Sequence, residues 1–96
     1  MGADAEGRNF LEYLGQREGI NTQGVRCLED QLTGEAIIMI DKTGENSIII
    51  NGGANMAYDE TGGLDETWQT IISDCNVLLL QREIPEAINI QVAKFA

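Results

Sequence analysis

The stretch "NVLLLQREIP", Asn76 to Pro85, constrains the fold more than any other part of the chain. Val77 to Leu80 are apolar at every position, the pattern of a strand covered on both faces rather than on one. Strands of that kind belong to mostly parallel sheets, whose neighbours are reached through crossover helices. Leu64, Trp68, Ile71 and Ile72 predict a helix before the run. Ile84, Ile88, Val92 and Phe95 form an apolar stripe that predicts another after it. Pro85 suits the first turn of that second helix, where a missing N–H removes nothing the helix uses. No second run of the same kind exists in the 96 residues to pair with Val77–Leu80. The pattern therefore predicts a piece of a larger α/β protein, with Gln81, Arg82 and Glu83 placed at a strand's carboxyl end.

The rest of the chain reads as α, then β-rich. In "DAEGRNFLEYLGQREGI", Phe10, Leu11 and Leu14, with Tyr13, stand at helical spacing. Asp4 can cap that helix and Gly19 can end it. "VRCLE" is a short strand candidate. "EAIIMIDKTGENSIII" predicts a hairpin whose isoleucine-rich arms flank an Asp-Lys-Thr-Gly-Glu-Asn connection. Side chains alternate along a strand, so Ala36, Ile38 and Ile40 share one face of the first arm. Ile48 and Ile50 share one face of the second. "INGGANMAYDETGG" is turn-rich. No linker, repeat or low-complexity tract divides the chain, which is of single-domain length.

Composition acts mainly by exclusion. Sixteen acidic residues face six basic ones, for a net charge of −10. Nucleic-acid affinity comes largely from neutralising phosphates with clustered Lys and Arg. Arg8, Arg17, Arg26, Lys42, Arg82 and Lys94 are scattered, which excludes nucleic acid and anionic membranes as primary partners. No run approaches the roughly 18 apolar residues of a membrane span. No basic region followed by an apolar core marks a signal peptide. The expected location is the cytoplasm, with an organelle as the alternative. Cys27 and Cys75 have no metal-ligand spacing, and histidine is absent. Both are expected as buried or half-buried thiols, and nothing motivates a disulfide.

The inventory of reactive groups is short. Without histidine there is no Ser-His-Asp set. "GGAN" is too short for a phosphate loop and lacks a lysine. Most carboxylates read as solvated side chains. Glu83 differs, because ligands of open α/β sheets bind just beyond the carboxyl ends of the strands. Its competing reading is as a cap for the following helix.

At these residues a family resemblance is plain. "GADAEGRNFLEYLGQREGINTQGV" resembles the "G-D-x-x-G…L…G-I/V-x-T" segment of the ribokinase/PfkB family of carbohydrate kinases. "LTGEAIIMIDKTGENSIIINGGAN" resembles its "TG-x-A-x-I-x-V…GEN-x-I…GAN" hairpin, and "LLLQREIPEAINIQVAKFA" its "LLxQxEIP" strand and helix. The three motifs occur in order across essentially all 96 residues, and "GEN…GAN" with "QREIP" favours the ribokinase branch.

The resemblance implies a partial ribokinase-like α/β fold. A β-hairpin lid portion, with strands within about residues 25–50, would join body pieces at 3–19 and 64–96. The body pieces would belong to a doubly wound sheet. It implies an internal segment of an enzyme that uses ATP to phosphorylate D-ribose or a similar sugar, with Mg2+ and K+ serving the whole protein. It further implies a homodimer formed through the lid strands.

Glu83 matches the family's sugar-binding glutamate. Ala36, Ile38 and Ile50 would line the sugar side of the lid; their competing reading is as core residues of a small sheet. The family's "GGKGAN" loop, "N-x-x-E" motif and "GAGD" anion hole with its catalytic aspartate are not among these residues. No catalytic, cofactor-binding or metal-binding residue is therefore expected within the chain. Alone, the chain is expected to be inactive. The alternative is a non-catalytic module that associates through exposed lid strands.

Overall fold

The computed structural model describes residues 1–58 and 62–96. Asp4 starts the first helix, α1 (Ala5–Glu12), from an extended backbone, and its carboxylate accepts the Gly7 N–H at 2.8 Å. This is the capping predicted from sequence, and it satisfies one of the donors a helix start leaves free. The helix does not run uniformly to Gly19. It widens into a π-helical turn over Tyr13–Arg17. Gly19, at φ 63°, then turns the chain, and the Ile20 N–H closes the end on the Leu14 carbonyl at 3.0 Å. Leu11 and Leu14 are half-buried, whereas Phe10 and Tyr13 are exposed.

The predicted strand Val25–Glu29 reduces to one parallel bridge between Leu28 and Gly2. The Leu28 N–H donates to the Met1 carbonyl and the Ala3 N–H donates to the Leu28 carbonyl, both at 3.0 Å. The start of the chain therefore runs alongside Leu28 in the parallel sense.

The hairpin is regular. Strand β1 (Glu35–Ile40) pairs antiparallel with β2 (Asn46–Asn51), with Ala36 opposite Ile50, Ile38 opposite Ile48 and Ile40 opposite Asn46. Its connection is organised by Asp41, whose Oδ1 accepts from the Thr43 N–H (2.7 Å), the Thr43 hydroxyl (2.6 Å) and the Glu45 N–H (3.1 Å). Gly44 sits at φ 87°, the left-handed position that such a loop assigns to glycine. A short 3-10 turn, Gly53–Met56, follows β2.

Asp65 caps α2 (Glu66–Ser73), accepting the Trp68 N–H at 3.0 Å. Trp68 ties α2 to the segment before the bridge. Its indole N–H donates to the Gly24 carbonyl at 2.8 Å, and the Arg26 guanidinium lies 5.4 Å from the ring centroid. Arg26 also pairs with Asp65, which fixes both ends of that contact.

Residues 77–80 form no ladder, because no described strand lies beside them. They are exposed, Leu79 to 86%. Helix α3 (Glu86–Phe95) follows, with Pro85 at the N-cap rather than inside the first turn. The apolar core is small: Ala54, Ile88 and Val92 are the buried hydrophobic residues among those described. Cys27 and Cys75 are free and exposed, against the expectation of buried thiols. With so small a core, too little of the chain is interior to cover them.

Accessible surface totals 7508 Å², whereas a compact chain of 10.5 kDa exposes about 5,400 Å². The radius of gyration is 15.4 Å, against about 12.5 Å for a compact domain of this length. Exposed large apolar side chains are concentrated on the hairpin and on residues 77–80.

Candidate functional site

Two separate surfaces carry the residues singled out by sequence. The first is the hairpin. In an antiparallel ladder, opposed residues lie on the same face, so the register places Ala36, Ile38, Ile48 and Ile50 together. The opposite face carries Ile37, Met39 and Ile49 with Ser47. Ile38 and Ile50 are open to solvent, Ile50 to 71%. Neither face is covered, so these residues do not form the core of a self-contained small sheet.

The second surface is the turn after Leu80. Glu83 is exposed, and among the described residues it makes no hydrogen bond or ion pair. It does not cap α3, whose N-cap is Pro85 and has no side-chain capping bond. Proline fixes the entry to that helix through its backbone, leaving the preceding carboxylate unengaged. Leu80, Arg82 and Ile84 line a shallow groove of about 280 Å³ against Glu86, Asn89, Ile90 and Ala93. Glu83 lies between two of these lining residues and is not one of them. No described contact joins it to the hairpin.

The root of the hairpin is held by a cluster of which local sequence pattern predicts only the Asp4 cap. Asp4, read as a cap, also accepts the Thr33 N–H at 2.6 Å and the Thr33 hydroxyl at 2.7 Å. The Thr33 Oγ1 in turn accepts the Gly2 N–H at 3.1 Å. Thr33 lies 29 residues from Asp4, so local spacing carried no signal for the pair. The Thr33 hydroxyl, then the Thr33 and Gly7 N–H groups, lower the Asp4 pKa from 3.8 to about 2. The Thr43 hydroxyl, followed by its N–H, similarly holds Asp41 below its ordinary value.

Glycines crowd the same root. A Cβ on Gly34 would lie 2.5 Å from the Gly52 carbonyl oxygen and 2.7 Å from the Asn55 amide nitrogen. Only a residue without a side chain lets these strand ends approach so closely.

The "GGAN" turn does not fit a nucleotide phosphate, and the described residues offer no cluster for a metal ion. In "GGAN", the Gly53, Ala54 and Asn55 N–H groups donate to Asn51 Oδ1, the Leu32 carbonyl and the Gly52 carbonyl respectively. A phosphate cradle needs such groups free to point at the ligand. Among the described residues, no group of three or more His, Cys, Asp or Glu side chains converges on a point. No described helix is long and apolar enough to cross a membrane.

Comparison with known proteins accounts for this architecture. The model of the pfkB family of carbohydrate kinases matches residues 1–96. The chain is 45% identical to Arabidopsis thaliana ribokinase over 96 residues, covering 98% of this chain and 25% of the relative. It is 38% identical to Schizosaccharomyces pombe ribokinase over 91 residues, covering 94% of this chain and 28% of the relative. A solved structure of the Arabidopsis ribokinase, complexed with ribose and ATP, superposes with a TM-score of 0.87 at 43% identity. That superposition covers 99% of this chain and 30% of that one. The crystal structure of Sa239, at 24% identity and a TM-score of 0.83, shares the fold and covers 30% of that chain. The chain thus spans 25 to 30% of the length of these relatives and neighbours. The hairpin, the glycine-bound root and the unpartnered 77–80 run are one contiguous part of a partial ribokinase-like α/β fold, and the chain belongs to the pfkB family of carbohydrate kinases.

Proposed function

We propose that this chain supplies part of the sugar site of a ribokinase-type enzyme, which transfers the terminal phosphoryl group of ATP to D-ribose or a similar sugar in the cytoplasm. The observation that supports it most is the whole-chain superposition on a ribokinase complexed with ribose and ATP. In this reading the lid strands fall within about residues 25–50, and body pieces occupy 3–19 and 64–96. The face bearing Ala36, Ile38 and Ile50 covers the apolar side of the sugar ring and keeps water from the reacting hydroxyl. Glu83 accepts hydrogen bonds from sugar hydroxyls, each worth about 1.5–3 kcal/mol to a charged acceptor. Mg2+ and K+ would be held by the rest of the enzyme. No group in this chain removes the hydroxyl proton, so its role is to bind and to exclude water.

The reading is tested by grafting these 96 residues into Arabidopsis ribokinase in place of the matching segment. Ribose-dependent ADP release is expected from the graft and none from the isolated chain. Glu83→Gln in the graft should raise the KM for ribose at least tenfold, the factor for about 1.4 kcal/mol. An unchanged ribose KM in that variant would remove Glu83 from the sugar site. Saturable turnover by the isolated chain would overturn the division of roles.

A second reading rests on the uncovered hairpin. Both of its outer edges offer unpaired backbone groups, which invite strand addition. It makes the chain a non-catalytic module that pairs with a partner or with itself, and in the whole enzyme the same strands would form a homodimer.

A further inference from the structure

Glu83 can bind a sugar well only if its backbone is fixed beforehand. A freely moving carboxylate loses conformational entropy on binding, which weakens the contact. In this chain residues 77–80 form no ladder, so the described contacts that hold the turn come from α3. On the helix side, Pro85 gives the chain a rigid entry to α3 at φ −54°. On the strand side, the Asn89 side chain reaches back from the first turns of α3. Its Nδ2 donates to the Gln81 carbonyl at 2.5 Å, across eight residues. Asn89 and Pro85 therefore bracket the Gln81–Ile84 turn, with Glu83 inside it.

The side chain at position 89 is poorly explained by helix formation alone. Asparagine is a weak helix former. Its Oδ1 is shielded from water without a hydrogen-bond partner among the described residues. Alanine or leucine would serve the helix better and leave no acceptor stranded.

We propose that Asn89 is a positioning residue for Glu83: it grips the Gln81 carbonyl and so sets the direction in which the carboxylate faces the sugar. The proposal rests on the sugar-site reading given above.

The test uses the same ribokinase graft, with Asn89→Ala and the near-isosteric Asn89→Asp, which keeps the shape and removes the donor. Each should raise the ribose KM about five- to tenfold, change kcat less than twofold and leave the ATP KM unaltered. In a Glu83→Gln background neither should raise the ribose KM further, because there is no longer a carboxylate to orient. The proposal is overturned if Asn89→Asp leaves the ribose KM unchanged while Glu83→Gln raises it. It is equally overturned if the effects of the two sites multiply, or if kcat and both KM values shift together as in general destabilisation. If Glu83→Gln itself has no effect, the sugar-site reading fails, and this proposal with it.

Discussion

At the scale of single residues, Asp4 does two jobs with one carboxylate. One oxygen caps α1 and takes the Thr33 hydroxyl, while the other takes the Thr33 N–H. Its pKa is depressed to about 2, so the ionised form is the one the fold prefers. A depressed carboxylate contributes stability above its ordinary value, and that contribution is lost as pH falls from there toward the folded value. Asp4→Asn should therefore lower the melting temperature of the ribokinase graft at pH 6. The gap between variant and parent should close between about pH 4 and pH 2. A gap that persists at pH 2 would show that the charge is not what matters. Thr33→Val, which removes the hydroxyl without changing charge, should cost about 1–2 kcal/mol at neutral pH.

At the scale of elements, the hairpin illustrates how far sequence reading reaches. Alternating isoleucines, a loop containing glycine and the Asp41 side chain are all local signals. The hairpin formed where it was predicted, and the register puts Ala36, Ile38 and Ile50 on one face. The turn can be broken locally as well. Gly44→Val should cost about 1–2 kcal/mol, since a β-branched residue is strained at φ 87°. Urea denaturation of the graft would measure it, and an unchanged midpoint would mean that the loop relaxes without strain.

Contacts between distant residues were not legible in the sequence. Thr33 on Asp4, Trp68 on Gly24 and Asn89 on Gln81 each join residues with no periodic relation. The strand predicted at Val25–Glu29 had the right composition, but ladder formation also depends on a neighbour, and Gly2 provides only one bridge. The candidate site divides in the same way. Alternation predicted which residues share a face of each hairpin arm, whereas the choice of Ala36, Ile38 and Ile50 came from the family resemblance, and the bond from Asn89 to Gln81, eight residues apart, had no local signal.

At the scale of the whole molecule, surface decides behaviour. The chain exposes about 2,000 Å² more than a compact protein of its mass, and several isoleucines and leucines are open to solvent. A net charge of −10 opposes association at long range. Screening that repulsion shortens its reach to about 8 Å at physiological ionic strength. The isolated chain should therefore associate, and more strongly as salt rises. Light scattering should give an apparent mass that increases with concentration and with NaCl. A constant 10.5 kDa under both would count against strand-mediated association.

The bond between Asp4 and Thr33 closes the intervening polypeptide into a ring, and the parallel bridge between Gly2 and Leu28 closes a second ring that overlaps it. The stretch from the π-helical turn to Gly19 hangs from these rings, and a side chain at Gly19 would meet nothing within 4 Å. Lengthening a closed loop costs only about 0.6 kcal/mol per doubling. Residues inserted in this arc should therefore cost little closure entropy while the hairpin's root keeps its position.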